Sequence, residues 1–207
     1  MRTPLAVSAV LFASLSLAQS AGEITIDEAE LIIFKSAWTQ KVHSQVMQNR
    51  PGQSPDWMPG PDIMLRWESS PVVRKALVKV YGPDAVSSEH DRYYVVSTAG
   101  FVPTGGMRRG WRVERDVEAI GATILEATRT STTLTVKGQK KLQPVKVEPA
   151  MRSGERELLF YFPKDIEIAA NKDLQFQTFT AIWGGVIEVK GTFKPREMTF
   201  RGKLDIE

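Results

Sequence analysis

The chain has 207 residues, of which 42% are hydrophobic and 25% charged, with a formal net charge of +3 and no cysteine. That apolar fraction supports a packed core without disulfides, and it excludes disorder of the whole chain, thiol catalysis, iron–sulfur clusters and cysteine-type structural zinc. Lysine and arginine are interleaved with aspartate and glutamate, so no basic face suits a nucleic-acid partner.

Arg2 places one positive charge ahead of Leu5 to Leu17, a run built only from Leu, Ala, Val, Phe and Ser. At about 13 residues it suits the apolar core of a secretory signal and is too short to cross ~30 Å of hydrocarbon. Ser16-Leu17-Ala18 supplies small residues for a cut after Ala18. A cut after Ala21 is the second choice, because it puts Gln19 in a small-residue position. The expectation is a signal peptide over 1–18 and a protein exported to the periplasm or the medium; an uncleaved anchor is the competing reading. No cysteine follows the run, which excludes a lipoprotein, and no later stretch reaches membrane-spanning length.

Asp27 and Glu30 have the spacing of a capping box, and Leu31, Phe34, Trp38, Val42 and Val46 follow at steps of three and four. This predicts an amphipathic helix over 28–48; a strand over 29–38 competes with it, because 31–34 is a continuous apolar run. Residues 49–62 contain Pro51, Gly52, Pro55, Pro59, Gly60 and Pro61 and read as a loop, pinned by Trp57 and Met58. Residues 63–67 read as a short strand. Ser70 and Pro71 open a helix over 71–81, with Val72, Val73, Ala76, Leu77 and Val80 on its apolar face and Gly82-Pro83 at its end. Residues 92–98 form a strand by residue type, 100–110 a loop, and Asp116 caps a helix to about Thr128 with Val117, Ile120, Ile124 and Ala127 on one side.

From Thr132 onward, extended segments are predicted at 133–137, 145–148, 155–162, 165–169, 174–182, 186–193 and 197–206. In the last, Met198, Phe200, Leu204 and Ile206 alternate with polar residues, as in a half-buried strand. Trp183-Gly184-Gly185 reads as a hairpin turn. Short links favour antiparallel pairing. The expected fold is therefore α+β: an antiparallel β-sandwich or partly open barrel in the C-terminal two-thirds, with two or three packed helices. The expected organisation is a signal over 1–18, a helix and proline-rich preface over 19–62, and a β-rich domain over 63–207.

Ala127-Thr128, Leu134-Thr135-Val136-Lys137-Gly138, Phe162-Pro163, residues 173–178 (Asp-Leu-Gln-Phe-Gln-Thr) and residues 198–204 (Met-Thr-Phe-Arg-Gly-Lys-Leu) form a recurring set. Over residues 65–206 the chain thereby resembles a group of exported bacterial β-rich proteins of unassigned function. The resemblance implies a shared architecture and carries over no functional residue.

Only two histidines are present. His43 has no acid at helical spacing and reads as an exposed or half-packed polar position. His90 stands between Glu89 and Asp91, but neighbouring residues point apart and rarely share one ion, so no metal or other cofactor is expected. A Ser–His–Asp set can be drawn from Ser87 or Ser97 with His90, yet no Gly-x-Ser-x-Gly elbow accompanies it. Arg108, Arg109, Trp111 and Arg112, among Gly105, Gly106 and Gly110, make a candidate contact loop for an anionic or glycan ligand; the alternative is a solvated hairpin whose arginines pair with Glu114, Asp116 and Glu118. The leading expectation is a non-enzymatic exported binding protein whose partner is an envelope protein or such a ligand. The alternatives are a periplasmic hydrolase with a carboxylate-based site and an assembly factor that lends a sheet edge.

Overall fold

A computed structural model describes residues 23–48, 54, 56–100, 114–136, 138–152, 154–182 and 185–207. Helix α1 (Ile26–Phe34) opens on a capping box between Thr25 and Glu28: the Glu28 N–H donates to the Thr25 hydroxyl, and the Thr25 N–H to the Glu28 carboxylate. The helix ends well short of residue 48, and β1 (Thr39–Gln48) follows. The four-residue steps Trp38, Val42 and Val46 are also multiples of two, so a strand places them on one face as readily as a helix does. The buried face of α1 is Ala29, Ile32 and Ile33, whereas Leu31 and Phe34 point to solvent.

Strand β2 (Asp56–Trp67) replaces the expected loop through residue 62. It pairs with β1 along its length, interrupted by a register shift between His43 and Gln45, but with β3 only from Met64 to Trp67. Among the described residues its first half has no strand on the side away from β1, and Pro59 and Pro61 fall in that half. Helix α2 (Pro71–Tyr81) forms as expected, with Ser70 as N-cap. A 3₁₀ turn (Pro83–Ala85) and the short helix α3 (Glu89–Arg92) lead into β3 (Tyr93–Ala99). Helix α4 (Glu114–Thr130) presents Thr128 rather than Ala127 to the sheet.

The remaining strands are β4 (Thr133–Val136), β5 (Lys141–Leu142), β6 (Lys146–Arg152), β7 (Glu155–Pro163), β8 (Leu174–Ile182), β9 (Gly185–Phe193), β10 (Thr199–Phe200) and β11 (Lys203–Leu204). Residues 165–169 are not a strand. They belong to the crossover from β7 to β8, where the Ile166 carbonyl accepts from the Tyr94 hydroxyl at 2.8 Å. Nor is 197–206 one strand. It begins as a 3₁₀ turn and folds into a β10–β11 hairpin, with Arg201 and Gly202 at φ 51° and 78°, the two positive values a type I′ turn needs.

Nine strands form one antiparallel sheet in the order β5-β4-β8-β9-β1-β2-β3-β7-β6, and β10–β11 make a small second sheet. The large sheet curls. Its edge strands β5 and β6 are joined through residues 143–145 alone, which span no more than about 14 Å between Leu142 and Lys146 even when extended. Phe160 on β7 and Phe176 on β8, with four strands between them in the sheet, bring their ring centroids to 5.1 Å. The fold is thus α+β with a curled, partly closed sheet. Its interior is filled by Trp67, Phe160, Phe162, Phe176 and Phe193, with α1 and α2 contributing to the same cluster. No described helix is long and apolar enough to cross a membrane.

The C-terminal residues lock onto this core. The indole N–H groups of Trp38 and Trp67 donate to the carbonyls of Asp205 and Ile206, and the Asp205 carboxylate accepts from the Val72 N–H and the Ser70 hydroxyl at the start of α2.

Candidate functional site

Alternation along β2, β3, β6 and β7 sends Ile63, Leu65, Trp67, Tyr94, Val96, Val147, Leu158 and Phe160 into the curl. The intervening residues face outward: Arg66 on β2, Glu68 just after it, Val95 and Ser97 on β3, Glu148, Ala150 and Arg152 on β6, and Glu157, Leu159 and Tyr161 on β7. An outward face would normally be wet. Here the segment from Tyr81 to His90 crosses it, and Arg66, Glu68, His90, Arg152 and Glu157 are all at most 5% exposed.

The five make one connected network. Arg152 Nη1 donates to Glu68 Oε1 at 2.5 Å and Glu157 Oε2 at 2.7 Å, while its Nη2 donates to Glu68 Oε2 at 3.0 Å and the Ala85 carbonyl at 2.8 Å. Arg66 Nη1 lies 3.3 Å from Glu68 Oε1 and 3.4 Å from both Glu157 oxygens, and its Nε donates to the Ile33 carbonyl. His90 Nε2 stands 3.3 Å from Glu68 Oε2, and its Nδ1 lies 3.3 Å from Ser87 Oγ and 3.1 Å from the Ser87 carbonyl. Two carboxylates thus share two guanidiniums, so each buried charge meets an opposite one.

Electrostatics separates the two acids. Burial pushes the Glu68 carboxyl up, but the Arg152 charge, hydrogen bonds from His90 and Arg152, and the Arg66 charge outweigh it and hold Glu68 well below the usual carboxylate range. Glu157 moves the other way, raised by burial and by the neighbouring Glu68 charge against the pull of Arg66 and Arg152. Arg152 is held fully protonated: burial works against its charge, and Glu68 and Glu157 more than compensate. Glu68 and Arg152 agree in describing a strong ion pair, whereas Glu157 is the weaker acid partner.

Beside this network a cavity of about 550 Å³ opens to solvent. Val80, Tyr81, Asp84, Ala85, Ser87 and His90 form one wall; Glu148, Ala150, Met151, Arg152, Leu159 and Tyr161 form the floor. The Tyr161 ring stands edge-on to His90 with centroids 6.1 Å apart. Burial pushes the Tyr161 hydroxyl up to about 12, with a hydrogen bond to Ser87 acting downward and Glu148 acting upward, so at neutral pH it keeps its proton and can donate. Lys146 Nζ sits 5.2 Å above the same ring and 2.6 Å from Glu148. Among the described residues Asp84 makes no ion pair.

Of the residues singled out from sequence, Arg108, Arg109, Trp111 and Arg112 lie outside the described residues. His43 is on a strand rather than a helix, as an exposed polar position paired with Asp62. Glu89 and Asp91 turn away from His90 to pair with Arg92 and Arg74, and no described set of three His, Asp or Glu side chains is arranged to hold a metal ion. Ser87 is brought to His90; Ser97 is not. Glu68, Glu157 and Arg152 were missed, although the sequence carried a trace of them: Arg66 stands between Leu65 and Trp67, Glu68 follows Trp67 directly, and Glu157 leads into Leu-Leu-Phe-Tyr-Phe. Compared with family models, with curated proteins and with solved structures, the chain gives no match.

Proposed function

We propose that this is an exported binding protein that takes a small amphipathic cation in the cavity on the outer face of the sheet. The single observation behind this reading is the composition of that cavity. Val80, Ala85, Ala150, Met151 and Leu159 offer apolar surface, and the carboxylates in the lining are Asp84, which makes no ion pair among the described residues, and Glu148, which is shared with the partly exposed Lys146. Arg152, the one arginine among the described lining residues, is already saturated by Glu68, Glu157 and Ala85 and has little left for an anion. The Tyr161 ring already carries one ammonium, that of Lys146, which illustrates the chemistry the floor accepts. Apolar walls with a few fixed polar groups are the usual make-up of a small-molecule site.

Calorimetric titration of the mature protein with n-hexylammonium and with hexanoate tests the reading. Binding of the amine, at least tenfold weaker in Asp84→Asn/Glu148→Gln and absent for the carboxylate, supports it. Equal binding of the two ions, or none of either, overturns it. Export is tested by mass spectrometry of the native protein, which should begin at Gln19; an intact Met1 in material from the cell interior rules it out.

A further inference from the structure

We infer that Ser87 is a nucleophile, with His90 as its base and Glu68 as the residue that positions the imidazole, acting on a small carboxylic ester held in the cavity. The inference rests on the binding reading for where the ester lies, and goes beyond it in assigning a reaction. The three side chains form a chain: Ser87 Oγ to His90 Nδ1 at 3.3 Å, then His90 Nε2 to Glu68 Oε2 at 3.3 Å. Exposure is graded as such a relay requires. Ser87 is exposed and lines the cavity, whereas His90 is 1% and Glu68 0% exposed. An ionised Glu68 favours the tautomer with the proton on Nε2; in it Nδ1, which stands 3.1 Å from the Ser87 carbonyl as well as 3.3 Å from Ser87 Oγ, turns its lone pair to the serine proton at the cost of the carbonyl contact. The imidazole is presented to the serine by Nδ1 because both residues sit on one tight turn, three positions apart. Arg152, bidentate on Glu68, fixes the acid in turn. The Tyr161 hydroxyl, kept protonated by burial, lines the same cavity and offers a donor to the substrate there.

In the step, Ser87 Oγ bonds to the ester carbonyl carbon, its proton passes to Nδ1, and the carbonyl π pair moves onto oxygen. Collapse restores the carbonyl and breaks the bond to the alcohol oxygen, which leaves with the proton from Nδ1. Water then attacks the acyl-serine, gives its proton to Nδ1 and releases the carboxylic acid, and that proton returns to Ser87 Oγ.

The mature protein is incubated with a fluorophosphonate and, separately, with p-nitrophenyl acetate. The expected results are one adduct mapping to Ser87, and ester cleavage that Ser87→Ala reduces by about 100-fold or more. The neighbouring Ser88→Ala variant should retain both. Glu68→Gln should lower kcat by about tenfold or more with KM and hexylammonium affinity unchanged, a split that mere loss of cavity shape does not produce. No adduct, an adduct on another serine, or cleavage undiminished in Ser87→Ala overturns the inference. Amine binding without an adduct sinks the nucleophile alone; an adduct without amine binding sinks the cationic-ligand reading alone.

Discussion

Replacing Arg152 by methionine removes the hub of the buried network while keeping most of the side chain's length. Four donor contacts disappear: two to Glu68, one to Glu157 and one to the Ala85 carbonyl. Among the described residues Arg66 is then the one guanidinium facing the two buried carboxylates, at 3.3–3.4 Å, with His90 Nε2 3.3 Å from Glu68. Breaking a buried pair by deleting one partner costs about 3–5 kcal/mol, because the surviving charge has neither water nor a counter-ion. For a domain of this size that corresponds to a fall in Tm of about 6–20 °C. The sign of the pH dependence is fixed by the acids. In the native protein Glu68 is depressed, so it contributes stability above its unfolded value that is lost as the pH falls through its folded one. Without Arg152, the largest depressing influence is gone and burial dominates, so acidification neutralises Glu68 and Glu157 and relieves the variant. Urea unfolding followed by tryptophan fluorescence at pH 7.5 and pH 5 should therefore show the larger deficit at pH 7.5. A deficit below about 1 kcal/mol, within the range of an exposed ion pair, or one that widens on acidification, would refute the assignment of a buried coupled network.

Asp205→Ala should cost about 1–2 kcal/mol in thermal unfolding, since it strips the carboxylate that accepts from Val72 N–H and Ser70 Oγ at the start of α2. Thr180→Val should cost about 1–3 kcal/mol by orphaning the buried Thr128 hydroxyl, which lies 2.6 Å away, and Thr128→Val in the same chain should recover part of that loss; additive losses in the double-mutant cycle would show that the pair is not coupled. Gly185→Ala would drive a Cβ into the Met47 carbonyl where β9 meets β1, so a destabilisation of about 1–3 kcal/mol is expected, and a neutral melting curve would show that the two strands do not pack this closely.

The sequence by itself determined the apolar run at the amino end, the absence of thiol chemistry, the α+β class, and helix 71–81, whose start and stop residues act within a few positions of one another. The tracts 174–182 and 186–193 were legible for the same local reason, and pair as β8 and β9. Residues 38–48 were not, because apolar steps of four satisfy a helix and a strand alike; the choice fell to β2 and β9, which flank β1 and take up its backbone hydrogen bonds. The tail misled in the opposite way: its clean alternation bends at Arg201-Gly202 so that Ile206 can reach the core and Asp205 the start of α2. The candidate site was the least visible. Ser87 and His90 are neighbours in sequence and could be paired on paper, but Glu68 comes from the end of β2, Arg152 from β6 and Glu157 from β7. Charges on three separate segments reveal nothing of one another until strand pairing sets them side by side and the 81–90 segment closes over them, excluding the water that would otherwise have screened each one separately.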